Sequence, residues 1–169
     1  RKVPLVSVNV SRLHLLNDNL PVYMKSLSDK YGLKPEQIEL EITESVFFED
    51  TERLVDMIKQ MKDIGYITSM DDFGAGFSTL SLMKSLPVDV IKLDGGFFLK
   101  NQLDGKSRAV ISAMMQLAEN LGFKVVSEGV ETMEQVEFIR EQGSRCVQGF
   151  YFYKPMPPEE FEKLLKPSE

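Results

Sequence analysis

The chain has 169 residues, 43% hydrophobic and 27% charged, with one cysteine, one histidine, no tryptophan and a formal net charge of −6. This composition describes one globular domain with a sizeable core, and excludes a disordered tail, a collagen-like repeat and a disulfide-stapled miniature. It also excludes a zinc centre of histidine and cysteine, and argues against a nucleic-acid polymer as partner, which calls for a basic face.

In chain order, a β-branched strand over Leu5–Val10 leads to a helix over Leu20–Tyr31, closed by Gly32 at the usual C-terminal position. A strand over Ile38–Ile42 precedes a helix over Thr51–Ile64, whose Leu54, Val55, Ile58, Met61 and Ile64 share one face. The strand Tyr66–Met70 runs into a Gly-rich loop. A short helix follows, capped by the Ser78 hydroxyl and ended by Pro87. Strand Val90–Leu93, helix Lys106–Leu121, strand Lys124–Ser127, helix Thr132–Gln142 and strand Cys146–Gln148 complete the alternation, with a last helix starting near Pro158. No apolar run reaches the roughly 18 residues of a membrane span. No secretory signal is read at the N-terminus, and the lone Cys146 predicts a reducing, cytoplasmic setting.

Six strand–helix units in series require right-handed crossovers and a parallel sheet. Asn9, Glu41, Asp71, Lys92, Glu128 and Gln148 each fall at the C-terminal end of a different predicted strand. An open doubly wound sheet gathers its ligand site at one switch point. Polar groups on six successive strand ends suit a closed barrel with one functional rim. The expected fold class is therefore α/β, a (β/α)8 TIM-like barrel. Such a barrel needs eight strands and about 250 residues, so the chain is expected to supply about six βα units and to lack the first strands. Residues 1–169 then make one partial domain with open barrel edges.

With almost no histidine, a metal here must use oxygen ligands, which points to Mg²⁺, Mn²⁺ or Ca²⁺. Asp71-Asp72, after a strand and before Gly74 and Gly76, is the natural focus, since one carboxylate can bridge two ions while its neighbour serves the second. Blander readings stand beside it. Asp71-Asp72 alone could be a solvated loop, Asn9 a rim residue satisfying the backbone, and Lys92 an ion-pair partner of Asp71 or Asp94. His14 reads as a surface or capping residue, Cys146 as an inert core thiol and the nine methionines as packing. Gly105-Lys106-Ser107 fails as a phosphate loop, because the leading glycine would fall at Lys100. Gly74-x-Gly76 lacks the third glycine of a dinucleotide site.

Six segments together carry a resemblance: Ser7–Ser11, Glu41-Ile42-Thr43-Glu44-Ser45, Asp71–Leu80, Lys92-Leu93-Asp94, Glu128–Thr132 and Gln148-Gly149-Phe150. In this order they resemble the EAL-domain family of cyclic di-GMP phosphodiesterases, from the first strand to Pro155. The Glu-Ala-Leu tripeptide that names the family does not occur here, and its glutamate, a metal ligand, would lie upstream of Arg1. The resemblance implies hydrolysis of one phosphodiester of cyclic di-GMP to linear pGpG, with two Mg²⁺ or Mn²⁺ ions as cofactors and Ca²⁺ inhibitory if bound. It implies Asn9, Glu41 and Asp71 at the first ion and Asp71, Asp72 and Glu128 at the second. Lys92 would orient or deprotonate water, making Lys92, Asp71 and Glu128 the catalytic group. Glu44 and Ser78 would anchor the Asp71–Leu80 loop, and Glu131 and Gln148 would lie near substrate or bound water. It further implies a homodimer through that loop region, and fusion to a sensor, a diguanylate cyclase domain or both, through which the whole protein could be membrane-anchored. The competing reading is a receptor that holds cyclic di-GMP without cutting it. A scaffold that binds no nucleotide would leave the aligned acids without purpose.

Overall fold

The structure, a computed structural model, describes residues 4–48, 51–74, 80–97, 105–144 and 146–165. Six strands pair in parallel in the order in which they occur: β1 (Val6–Asn9), β2 (Ile38–Thr43), β3 (Ile67–Phe73), β4 (Val90–Leu93), β5 (Lys124–Ser127) and β6 (Cys146–Val147). A doubly wound sheet reverses its strand order at a switch point. This one never reverses, which is the topology of a TIM-barrel-like wall.

The helices are α1 (Arg12–Leu15), α2 (Leu20–Tyr31), α3 (Thr51–Ile64), α4 (Leu80–Ser85), α5 (Gly105–Asn120), α6 (Met133–Glu141) and α7 (Pro158–Leu164). The bounds of α2, α3, β4 and β5 coincide with the sequence prediction. The prediction did not contain α1, because four residues are too few to show a helical period. Ser78, the predicted cap of the short fourth helix, lies outside the described residues.

Strand alternation sorts the side chains. Leu40, Ile42, Met70, Ile91 and Leu93 point to one face and join Leu54, Ile58, Met61, Ile111, Met115 and Ile139 in the hydrophobic core. Each such buried side chain contributes about 1.5–3 kcal/mol. On α3 the deeply buried set is Leu54, Met57, Ile58 and Met61, so Met57 takes the place expected for Val55. The intervening residues Glu41, Ser69, Asp71 and Lys92 therefore occupy the opposite, inner face.

Both sheet edges are open within the described residues. All four residues of β1 are exposed, and Cys146 on β6 is exposed as well. That corrects the expectation of a core thiol: among the described residues β6 pairs with β5 alone, and its outer side is uncovered.

Beyond β6 the backbone is tied tightly to the loop after β5. Gln148 N donates to Ser127 O at 2.8 Å, Val130 N to Gln148 O at 3.2 Å and Tyr151 N to Val130 O at 3.0 Å. Gly149 lies so close that an added Cβ would sit 2.1 Å from Val130 O and 2.4 Å from Val130 N. Gly149→Ala is accordingly expected to cost about 1–3 kcal/mol by overpacking against backbone. A urea unfolding curve checks it; an unmoved midpoint would mean that the two segments separate freely.

Candidate metal centre

In a regular strand the adjacent residues Asp71 and Asp72 would point to opposite faces. The register shows how the chain avoids this. Met70 pairs with Ile91 and Phe73 with Leu93, so Asp71 and Asp72 together oppose Lys92 alone. This is a β-bulge, a device that re-aims side chains. Asp72 takes a left-handed backbone with φ of 56°, a conformation that aspartate tolerates better than most residues other than glycine. As a result, one carboxylate oxygen from each of Asp71, Asp72 and Glu128 lies within 4.8 Å of the others.

Lys92 Nζ sits among the acids, 2.6 Å from Glu41 Oε1, 2.7 Å from Glu128 Oε1 and 3.3 Å from Asp71 Oδ1. Its side chain is only 6% exposed. Burial alone would lower its pKa, but the hydrogen bonds it donates to Glu128 and Glu41 overcome this and hold it above the usual lysine range. Lys92 is thus a charged donor here. Its partners are Glu41, Asp71 and Glu128; Asp94, one alternative considered from the sequence, instead accepts the Gly96 N–H at 2.6 Å.

The acids are strained electrostatically. Burial raises the pKa of Glu128, the Asp71 and Glu41 charges add to the shift, and the Lys92 contact offsets part of it. Asp72 is raised by burial and by the charges of Asp71 and Asp94. Asp71 Oδ1 is buried with no hydrogen-bond partner. Four carboxylates around one ammonium leave an excess of negative charge in a partly buried site. A divalent cation with oxygen ligands would relieve this excess and bind the Asp71 oxygen that makes no hydrogen bond, so the residues fit Mg²⁺, Mn²⁺ or Ca²⁺.

The other predicted residues are placed as follows. Glu41 and Lys92 lie inside their strands rather than at the last residue, while Glu128 and Gln148 lie one residue beyond theirs. Asn9 ends β1 in register with Glu41 and lines a cleft of about 350 Å³ with Ser11, His14, Thr43 and Ser45. His14 is exposed and shares a 3.0 Å hydrogen bond with Ser11 Oγ. Buried Glu44 accepts a hydrogen bond from Gly74 N at 2.9 Å through Oε2. Glu131 is exposed, and its backbone N donates to Gln135 Oε1 at 2.7 Å, beside the capping box with which Thr132 opens α6. Exposed Gln148 lines a separate cleft of about 540 Å³ with Phe150, Tyr153 and Lys154. Ser69 drew no attention in the sequence, yet it is fully buried on the inner face, paired with Glu41. Counting back two residues from Asp71 would have found it.

A parallel barrel-type sheet with an acidic, oxygen-donor centre towards the C-terminal ends of its strands defines a TIM-barrel-like α/β protein with a candidate divalent-metal site. The chain belongs to the EAL domain family, whose match spans residues 1–155. It is 38% identical over 158 residues to the oxygen sensor protein DosP of Escherichia coli, covering 94% of this chain and 20% of DosP. It is 35% identical over 155 residues to MucR of Pseudomonas aeruginosa, a bifunctional diguanylate cyclase/cyclic di-GMP phosphodiesterase, covering 92% of this chain and 23% of MucR. The MucR phosphodiesterase in complex with c-di-GMP superposes with a TM-score of 0.85, covering 92% of this chain and 63% of that one. A manganese/c-di-GMP complex of Klebsiella pneumoniae BlrP1, 28% identical, gives a TM-score of 0.82 over 89% of this chain and 38% of that one. The chain therefore spans about a fifth of the length of the curated relatives it matches.

Proposed function

We propose that this chain carries the catalytic rim of a cyclic di-GMP phosphodiesterase, opening one phosphodiester to linear pGpG with two Mg²⁺ or Mn²⁺ ions. The observation that carries the reading is the convergence of Asp71, Asp72 and Glu128 within 4.8 Å, beside a buried, charged Lys92. MucR and BlrP1, both similar over most of this chain, are described with c-di-GMP bound. Asn9, Glu41 and Asp71 would hold one ion, and Asp71, Asp72 and Glu128 the other. Bound there, the ions would supply Lewis acidity and lower the pKa of water.

The chain's own groups do the rest. Lys92, kept charged by its carboxylate neighbours, donates hydrogen bonds and so orients the water that attacks phosphorus. A lysine must be neutral to accept a proton, so the orienting role is better supported than the deprotonating one. The water oxygen bonds to phosphorus, the bond to the 3′ oxygen breaks, and that oxygen leaves with a proton. Glu131 and Gln148, both exposed, are free to meet substrate or bound water.

The test is chromatographic. The complete protein, incubated with cyclic di-GMP and Mn²⁺ or Mg²⁺, should release pGpG, and a chelator should stop it. Tight binding with no product would favour the receptor reading instead. The same assay with Ca²⁺ should show inhibition.

The partners proposed are cyclic di-GMP, a second copy through the Asp71–Leu80 region, and fused sensor or cyclase domains. A cytoplasmic location belongs to the same proposal, on the ground of the lone cysteine. Among the described residues, no helix is long and apolar enough to cross a membrane. Glu44 supplies a handle on the dimer: its carboxylate holds Gly74 N at 2.9 Å, a charged hydrogen bond of about 1.5–3 kcal/mol. Glu44→Ala should loosen the loop, weakening both dimerisation and the Mg²⁺ response of hydrolysis. Sedimentation mass and Mg²⁺ titration, measured together, check this. If neither moves, Glu44 has no part in the coupling.

A further inference from the structure

We propose that the cleft beside the C-terminal ends of β1 and β2 is a subsite for the second, uncut phosphate of a cyclic dinucleotide, with His14 as its recognition residue. The inference rests on the cyclic di-GMP reading above, and adds to it where the half of the ligand away from the metal centre is held.

A cyclic dinucleotide carries two phosphodiesters, each with a full negative charge. The proposed ions serve the one that is cut. The other must sit against a protein of formal net charge −6, beside a centre formed by Glu41, Asp71, Asp72 and Glu128. It therefore needs hydrogen-bond donors and positive charge of its own, close to the ions but not among the acids.

The cleft beside β1 and β2 meets these requirements. Asn9, in register with Glu41 and proposed with it for the first ion, is part of the lining, so the cleft adjoins the metal centre. Its volume of about 350 Å³ lies within the range of small-ligand sites. The other polar lining residues are Ser11, Arg12, His14, Thr43 and Ser45, with no carboxylate among them. The larger cleft beside Gln148 has a different character. Phe150, Met156, Phe161 and Leu164 line it, and Lys154 Nζ lies 5.7 Å from the centre of the Phe150 ring. Apolar walls of that kind leave a phosphate poorly solvated.

His14 is oriented for the task. Its Nδ1 shares a 3.0 Å hydrogen bond with Ser11 Oγ. A hydroxyl that donates to Nδ1 leaves the ring proton on Nε2, and a protonated ring also donates from Nε2. In both forms Nε2 offers an N–H to a phosphate oxygen. Thr43 Oγ1 and Ser45 Oγ, in the same lining, lie 3.3 Å apart. Each hydroxyl has one proton and the bond between them uses one, so the pair keeps a donor for the ligand. The Arg12 guanidinium adds positive charge. His14 is exposed, so replacing it removes a contact with the ligand rather than packing.

The experiment measures cyclic di-GMP binding to the complete protein by calorimetry with Ca²⁺, beside Mn²⁺ binding without nucleotide. His14→Ala should weaken cyclic di-GMP binding about 10-fold or more, the loss expected of one hydrogen bond to a charged group, while Mn²⁺ affinity stays that of the wild type. His14→Gln, whose amide N–H can stand in for that of Nε2, should recover most of the loss. Bis(p-nitrophenyl) phosphate, which has a single phosphodiester, should bind the wild type and His14→Ala alike. Unchanged cyclic di-GMP affinity in His14→Ala would overturn the subsite. So would a loss shared by bis(p-nitrophenyl) phosphate or Mn²⁺, or no recovery in His14→Gln. Binding that depends on His14 without pGpG formation would refute the hydrolytic reading and leave the subsite standing. A wild-type protein that binds no cyclic di-GMP would overturn both.

Discussion

Asp71→Asn should reduce cyclic di-GMP hydrolysis to background while leaving the metal-free fold intact. Asp71 is the one residue proposed for both ions, and a neutral amide offers a single carbonyl oxygen where two charged oxygens are needed to bridge. The fold should survive for a separate reason. Asp71 Oδ1 accepts no hydrogen bond from the rest of the chain, and it lies 3.3 Å from Lys92 Nζ, the longest of the three contacts that lysine makes with carboxylates. Glu41 and Glu128 still hold the ammonium, at 2.6 and 2.7 Å. Removing one charge from a crowded acidic site also lessens the repulsion that raises Asp72 and Glu128. Turnover by pGpG chromatography and unfolding by circular dichroism are the paired measurements. Wild-type turnover in the variant would refute the bridging role, and a collapsed fold would show that Asp71 is structural.

Much of this architecture was legible in the residues. The run at Val90–Leu93 is buried throughout, and the amphipathic period of Thr51–Ile64 buries Leu54, Ile58 and Met61 as read, with Met57 in place of Val55. Polar residues inside otherwise apolar strands mark an inner face, because a strand buried on both sides reads as a continuous apolar run. What could not be read was geometry that depends on distant pairing. The bulge at Asp71-Asp72 exists only relative to β4, and no local property of two adjacent aspartates announces a φ of 56° at the second. Lys92 has Asp94 two positions away, yet it bonds Glu41, 51 residues earlier in the chain. Cys146 misled for the converse reason: a strand residue is buried only if something covers it, and sequence does not say which strand is at the edge.

The same crowded centre makes Lys92 the most consequential side chain for stability. In Lys92→Met the apolar stem is kept, and the cation that three partly buried carboxylates share is lost. Glu41, Asp71 and Glu128 are only 9, 15 and 17% exposed, so water screens them poorly. Breaking a buried ion pair by removing one partner costs about 3–5 kcal/mol, and that loss is expected in the metal-free variant. Its pH dependence has a definite sign. Burial raises the Glu128 pKa above the ordinary glutamate range, so its ionisation works against the fold as pH rises. Losing Lys92 removes the contact that opposes this rise. The deficit should therefore be largest near neutral pH and shrink on acidification, as Glu128 takes up its proton at a pH above the ordinary glutamate range. A divalent cation that binds only the folded state should restore part of the loss, about 2.7 kcal/mol at 100 times its Kd. Catalysis should not recover with it. Groups acting on a proton in flight typically contribute about 10²–10⁴-fold, and a donor that acts on the water rather than the substrate should lower kcat and spare KM. Melting curves with and without Mn²⁺, set beside kcat and KM, separate the two roles. A variant stabilised by Mn²⁺ but still inactive is the expected result, whereas full activity on Mn²⁺ rescue would make Lys92 a counter-ion and nothing more.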